Sequence, residues 1–388
     1  MSKKTITDLH LASTCFSRYL KNLNAVARQG DARDRLTIRW SEQEAWDTVR
    51  AFSGMDPELA RQAYELGKDA RDWKVTMAQK DLHNSGPSRE KVVPILYRPF
   101  DVRHTYYTGR SRGFICMPRP EVMSHILAGE NLVLNTCRQI VSETWQHCLV
   151  TNDITESCCV SNKTREIGYA HPLYLYPTAD RNDLFAQLEP TERQPNLNPI
   201  LIAALEKAHG SKPSPEEIFY YIYAILHAPT YREKYAEFLR IDFPRIPFTA
   251  DRALFAQLAA LGKRLTDLHL LKSSELDPPA CRFEGEGDAI VARTKAQGSR
   301  YDPDECRMYI NKTQYFGSIS PEVYEYRIGG YQVCDKWLKD RKERRLELND
   351  IRTYCRMVTA LWITLGIQEE LDILYDNVEK NLVTIPTK

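Results

Sequence analysis

The sequence predicts an α+β fold, and three observations lead there. Apolar residues recur at helical spacing behind capping signals towards both ends of the chain, whereas a middle stretch alternates short apolar or aromatic runs with Gly, Asn and Pro turns. No internal repeat is visible. The 388 residues are 43% hydrophobic and 27% charged, ordinary for a globular protein with room for two or three cores. No apolar run approaches the length of a membrane span, about 18 residues or more. Met1-Ser2-Lys3-Lys4 leads into polar residues without an apolar signal core, so a cytoplasmic location is expected.

Residues 1–90 read as helical. Ser41 with Glu44 three residues on forms a capping box, Ala45, Trp46, Val49 and Phe52 follow at helical spacing, and Gly54 ends the run. Asp56-Pro57-Glu58 opens a second, short helix through Leu66, closed by Gly67. The turn-rich His83-Asn84-Ser85-Gly86-Pro87-Ser88 is read as the first domain boundary. A strand and loop segment, 91–190, comes next, with Val92-Val93, Tyr106-Tyr107, Leu132-Val133-Leu134 and Leu173-Tyr174-Leu175-Tyr176 as its apolar runs. Residues 180–199, with Pro190, Pro195 and Pro199, read as a linker or an ordered excursion.

The remainder, 191–388, is helical and mixed. Ser214-Pro215-Glu216-Glu217 places a cap, an N1 proline and early acids before the apolar face Ile218, Tyr221, Ile222 and Ile225, and Pro229 is expected to break that helix. A helix over roughly Arg232 to Leu239, an extended connector Phe243–Phe248, and a helix marked by Leu254, Leu258, Leu261, Leu265, Leu268 and Leu270 follow. After a strand-like stretch at 281–333, Asn349-Asp350 is expected to cap a terminal helical pair divided at Gly366. Ile351, Tyr354, Cys355, Val358 and Leu361 mark the buried stripe of that pair.

Catalytic patterns are missing. The ten cysteines are scattered, apart from Cys158-Cys159, and offer neither disulfide spacing nor a zinc ligand set. Cys137 and Cys148 read as half-buried packing residues. Asp277-Pro278-Pro279-Ala280 approaches an amino-methyltransferase motif, but Ala280 stands where an aromatic ring would stack on the flipped base, and no Gly-rich cofactor loop follows an early strand. No phosphate-binding loop occurs, and the acidic Glu284–Asp288 stretch would repel phosphate. Asp302, Asp304 and Glu305 lie near Lys312, which a charged loop explains as well as a metal site does.

Charge is balanced, 53 basic against 52 acidic side chains for a net +1, which counts mildly against a nucleic-acid partner. Its distribution points the other way. Arg98, Arg103, Arg110, Arg112 and Arg119 face a single acid, Asp101, and the loop from Tyr97 to Gly113 adds Tyr106 and Tyr107 as phosphate donors. Arg98 and Asp101 are read as an internal pair, whereas Arg110 and Arg112 are read as DNA contacts. A second basic run extends from Lys336 to Arg345, in which Trp337 and Leu338 read as core and Lys336 and Lys339 as phosphate contacts. Arg103, Tyr106, Tyr107 and Arg138 complete the candidate contacts in this class.

These same residues carry a resemblance. Tyr97-Arg98-Pro99-Phe100-Asp101-Val102-Arg103, the run Pro215–His227, Tyr231-Arg232, Asp242–Pro247, Ile328–Val333 and Lys336–Arg341 resemble the C-terminal specificity region of type ISP restriction–modification enzymes, from about residue 40 onward. Such enzymes are similar in layout: nuclease, helicase-like ATPase, adenine methyltransferase, helical coupler and target-recognition domain. The resemblance implies coupler plus recognition domain here. It also implies that S-adenosylmethionine, ATP and Mg belong only to domains outside this chain, so that no cofactor is expected in it. The partners implied are double-stranded DNA and a methyltransferase domain, in cis or as a separate subunit, with no membrane. In related fused enzymes base reading is expected on a polar, basic stretch before an apolar strand, here Ser161-Asn162-Lys163-Thr164-Arg165-Glu166-Ile167-Gly168-Tyr169. Asn162 suits adenine, Lys163 and Arg165 guanine, and Glu166 cytosine, while Gly168 is expected to let the backbone approach closely. A hairpin with satisfied surface polar groups is the competing account of that stretch. Two other functions stay open: a DNA methyltransferase with an unrecognised site, which cofactor binding would reveal, and a helical protein-interaction module.

Overall fold

The computed structural model describes residues 20–21, 32–177 and 192–384, so most of the 180–199 stretch lies outside the described residues. Helices dominate, with several small sheets between them, an α+β architecture. The described residues divide into two compact units: one within 16–141 and 151–196, the other of 142–150 with 197–384.

The first unit contains β1 (Leu20–Lys21), α1 (Ala32–Thr37), β2 (Ile38–Arg39), α2 (Glu42–Ser53), α3 (Pro57–Ala63), α4 (Val75–Ser85), β3 (Val92–Arg98), β4 (Asp101–Tyr106), α5 (Pro120–Leu127) and β5 (Val133–Cys137). After β6 (Cys148–Thr151), where the chain passes between units, it resumes with β7 (Ile154–Thr155), β8 (Gly168–Pro172), β9 (Tyr174–Leu175) and β10 (Gln194–Pro195). Ser41 Oγ accepts the Glu44 amide at 3.1 Å, the expected start of α2. Helix α3 stops at Ala63, earlier than its sequence pattern suggests. One core holds Phe52 and Leu82 from the helices together with Ile95, Tyr106, Phe114 and Ile154 from the strands and loops. The turn at 83–88 is present, with Gly86 at φ 64°, but residues on both sides of it share this core. β2, β4, β3 and β7 form one sheet, in which β3 pairs antiparallel with β4 and parallel with β7. β8 pairs antiparallel with β1 and β5.

The second unit is built on α6 (Pro199–His209), α7 (Pro215–His227), α8 (Pro229–Lys234), α9 (Ala236–Ile241) and α10 (Arg252–His269). Ser214 and Glu217 close a reciprocal capping box on α7. Pro229 does end α7, and it also sits at the first position of α8, where its missing N–H costs nothing. A four-stranded antiparallel sheet follows, β11 (Arg282–Glu284), β12 (Arg300–Asp302), β13 (Arg307–Tyr309) and β14 (Tyr315–Gly317), in the order β11-β14-β13-β12. Then come α11 (Pro321–Glu325), the hairpin β15 (Arg327–Ile328) and β16 (Tyr331–Gln332), and α12 (Val333–Lys339). The expected terminal helical pair is instead one helix, α13 (Leu348–Val378), continuous through Gly366. Nine cysteines are free among the described residues, and Cys137 and Cys148 are fully buried rather than half-buried. No described helix is long and apolar enough to cross a membrane.

Candidate nucleic-acid interface

The pair β5–β8 runs in register from Val133 opposite Pro172 to Cys137 opposite Gly168. At the Cys137 end β5 continues into Arg138-Gln139-Ile140-Val141, and β8 is entered from Ser161–Ile167, so two loops leave the same end of one ladder. Glu166 ties them together. Its carboxylate, buried to 1% exposure, accepts the Val141 amide at 2.8 Å and the Ser161 hydroxyl at 2.5 Å. Ser161 Oγ in turn accepts the Lys163 amide at 3.2 Å, and the Glu166 amide donates to the Lys163 carbonyl at 3.1 Å. What remains outside is Arg138, Gln139, Asn162, Lys163, Thr164 and Arg165, all exposed.

This corrects three expectations. Glu166 does not present its carboxylate to a base, because each of its oxygens is engaged inside the loop. Ser161 is fully buried and belongs to the same internal lock. Gly168 offers no open backbone: it is a buried ladder residue opposite Cys137, and its amide donates to the Ser157 carbonyl at 2.9 Å. Arg165 differs from its neighbour. It stands at φ 77°, exposed, with no hydrogen bond or ion pair on its guanidinium among the described residues, so it does not pair with Glu166.

The Tyr97–Gly113 segment is mostly internal. Arg98 and Asp101 face each other across the β3–β4 turn, the expected internal arrangement, and Arg98 also pairs with Glu156 at 2.7 Å and Asp101 with Arg103 at 2.8 Å, all four buried. The Arg103 guanidinium also lies 3.6 Å from the Trp40 ring centre and 4.0 Å from that of Tyr97, so it is a desolvated, satisfied charge and not a phosphate contact. Glu156 accepts the Cys158 amide at 2.7 Å, so this cluster also anchors the chain leading to the Ser161 loop. Tyr106 is core, its hydroxyl accepting the Ser88 amide at 3.1 Å, so it is not a DNA contact; Tyr107 is half-buried, and its hydroxyl donates inward to the Pro118 carbonyl at 3.0 Å rather than to a phosphate. The tip remains available. Buried Asp81 accepts Thr108 Oγ1 and the Phe114 amide, each at 2.8 Å, and a side chain at Gly113 would meet that carboxylate at 2.2 Å. Arg110, Ser111 and Arg112 project beyond this anchor, exposed. Arg112 approaches Asp72 at 3.4 Å; Arg71, bonded to the same carboxyl, and Arg112 hold it below the usual carboxylate range.

In the second unit Trp337 and Leu338 are buried as expected. Lys336 pairs with Asp340, and Lys339 with Asp335 at 2.5 Å, so both charges are balanced within α12. Arg341 is buried over the Trp337 ring at 3.3 Å. In this run Lys342 and Arg345 are exposed and have no ion pair among the described residues, although neither was an expected contact. The i,i+4 spacing of Asp335 with Lys339 and of Lys336 with Asp340 was the signal that could have found them. Asp277 faces Arg352 at 3.6 Å and Arg356 at 3.2 Å, and the Ala280 amide donates to Thr359 Oγ1 at 3.0 Å, which pins the Asp277–Ala280 loop to α13. Among the described residues no group of three His, Cys, Asp or Glu side chains is arranged to hold a metal ion.

A family model described as the Type ISP C-terminal specificity domain matches residues 30–365. The chain belongs to this family. Solved structures share the fold of this specificity domain. The DrdV–DNA complex, determined by cryo-electron microscopy, matches with a TM-score of 0.68 and 23% identity over 92% of this chain and 36% of that one. The ATP-dependent Type ISP restriction-modification enzyme LlaBIII bound to DNA matches at 0.63 and 18%, over 92% and 23%. A nuclease-deletion mutant of the Type ISP restriction-modification enzyme LlaGI, in complex with a DNA substrate mimic, matches at 0.61 and 16%, over 92% and 28%. The specificity domain therefore spans between about a quarter and just over a third of the solved chains it matches. No curated protein matches.

Proposed function

We propose that this specificity domain recognises a particular double-stranded DNA sequence on behalf of a restriction–modification enzyme, and that it does so with the Asn162–Arg165 loop. The observation that carries the reading is the internal lock at Glu166. A buried carboxylate joins two loops and leaves a contiguous polar and basic surface, Arg138 with Asn162, Lys163, Thr164 and Arg165, outside it. Base reading needs side chains that are exposed yet held, because a mobile donor loses entropy on binding that offsets its hydrogen bonds. The three similar structures, each determined with DNA, support the same reading. Methyl transfer, ATP use and cleavage are proposed to reside in a methyltransferase and motor supplied in cis or by a partner subunit. S-adenosylmethionine, ATP and Mg are proposed to bind there.

Arg165 tests the reading most directly, since its free planar guanidinium suits the O6 and N7 acceptors of guanine. Selection from a randomised duplex pool, run on wild type and Arg165→Ala, should show one base position whose preference falls by about tenfold or more in the variant, a good bidentate contact contributing roughly 1–3 kcal/mol of discrimination. Affinity for mixed-sequence duplex should change little. Identical preferences in both proteins would remove Arg165 from the reading surface.

A further inference from the structure

Two of the exposed large hydrophobic side chains of the described residues sit on the locked loop pair. Val141 is 50% exposed and Ile167 is 37% exposed. They are neighbours through the same lock: the Val141 amide donates to the Glu166 carboxylate, and Ile167 is the next residue, one step beyond the last rung at Cys137 and Gly168. Both are β-branched and short, with few rotamers to lose on contact. Their own neighbours face inward, since Ile140, Glu166 and Gly168 are all buried. The fold therefore turns these two methyl-bearing side chains outward while burying a carboxylate beside them, the reverse of the usual partition.

The surroundings identify what covers them. Arg138, Lys163 and Arg165 are exposed on the same two loops; Glu166 is buried, and Glu143, the exposed acid further along the Val141 loop, is outnumbered by these three bases. An apolar pair within a cationic rim does not suit a basic or a purely apolar protein face. It does suit the major groove, where phosphates flank base edges whose single apolar feature is the C5-methyl group of thymine. We infer that Val141 and Ile167 form a methyl-reading contact that selects thymine over unmethylated pyrimidines at a position next to the one read by Arg165. This rests on the DNA-recognition reading of the same loops. It adds a specificity determinant of different chemistry, because desolvation of a methyl group replaces a hydrogen bond as the source of discrimination.

Deoxyuridine isolates the effect, since it differs from thymidine only by that methyl. On the preferred duplex found by selection, exchanging each thymine for uracil should weaken wild-type binding by about fourfold at the contacted position, the worth of one buried methyl-sized group. The Val141→Ala/Ile167→Ala protein should bind the thymine and uracil duplexes equally and still select the base read by Arg165. Both positions are exposed, so its urea midpoint should match wild type. Equal wild-type affinity for the two duplexes would overturn the inference, as would a double variant that keeps the full thymine preference. If uracil has no effect while Arg165→Ala shifts the selection, the methyl contact fails and the recognition loop stands. A wild type without any sequence preference removes both.

Discussion

Arg110 and Arg112 stand two residues apart at one loop tip, yet they present different electrostatics. Arg110 has no ion pair among the described residues, whereas Arg112 already approaches Asp72. A phosphate contact releases counterions in proportion to the charge it newly neutralises, so Arg110→Ala should reduce the slope of log K against log salt by about one, and Arg112→Ala by less. Titrations on a mixed-sequence duplex at several salt concentrations would show this, and an unchanged slope in the double variant would mean that the tip faces away from DNA. At this scale the sequence revealed residue types and spacing but not burial. Arg165 and Glu166 are adjacent and both polar, yet one is free and the other internal, and the difference comes from the Cys137–Gly168 register that places the Val141 amide over Glu166. Arg103 and Tyr106 differ from expectation for a related reason: they lie on opposite faces of β4, and both faces are covered, Tyr106 by the core and Arg103 by Trp40 and Tyr97. Short-range pattern does not encode such pairing.

Elements were more legible where their signals are local. The caps at Ser41 and Ser214 and the proline start of α7 follow from side chains within four residues of the helix end, and all appear in the structure, whereas Pro229, expected only to break α7, also opens α8 ahead of the expected start near Arg232. Gly366 misled because a helix-interior glycine costs only about 1 kcal/mol, less than the roughly 1.5–3 kcal/mol gained by burying one large apolar side chain, and Leu361, Ile367 and Leu371 are all buried around it. Space decides what each glycine does. A Cβ at Gly366 meets nothing within 4 Å, whereas one at Gly262 in α10 would lie 1.8 Å from the Tyr220 carbonyl oxygen of α7. Gly366→Ala should therefore stabilise the protein by about 0.8–1 kcal/mol. Gly262→Ala should destabilise it by about 1–3 kcal/mol, because backbone must move to admit the methyl. Urea unfolding of the two variants would show the opposite signs, and a shared sign would mean that the α7–α10 approach is looser than described.

At the scale of the whole molecule the fold class was legible and the discontinuous units were not, since they depend on the chain leaving at 141 and returning at 151, a long-range event without a local signature. The two units also differ in how they should answer to acid. In the unit containing α7 and α10, His269 bonds Tyr223 and Thr364, and burial lowers its pKa to about 3; His227 is likewise held well below its ordinary 6.5 by burial, Arg232 and His269. The unfolded chain protonates such histidines first, so their stabilising effect is complete above pH 6.5 and falls as pH drops towards the folded pKa. In the other unit His171 behaves the same way, lowered to about 3 by burial, but Asp34 opposes it. Burial and then Glu156 raise Asp34 to about 7 from 3.8, so between those values the folded state holds the extra proton and stability rises as pH falls. The two contributions offset within that unit, while those of His227 and His269 act in the same direction. Between pH 6.5 and 4.5, hydrogen exchange should therefore show α10 losing protection well before the β5–β8 ladder does. His269→Gln should reduce the loss in α10, and equal losses in the two units would contradict this assignment of the buried protons.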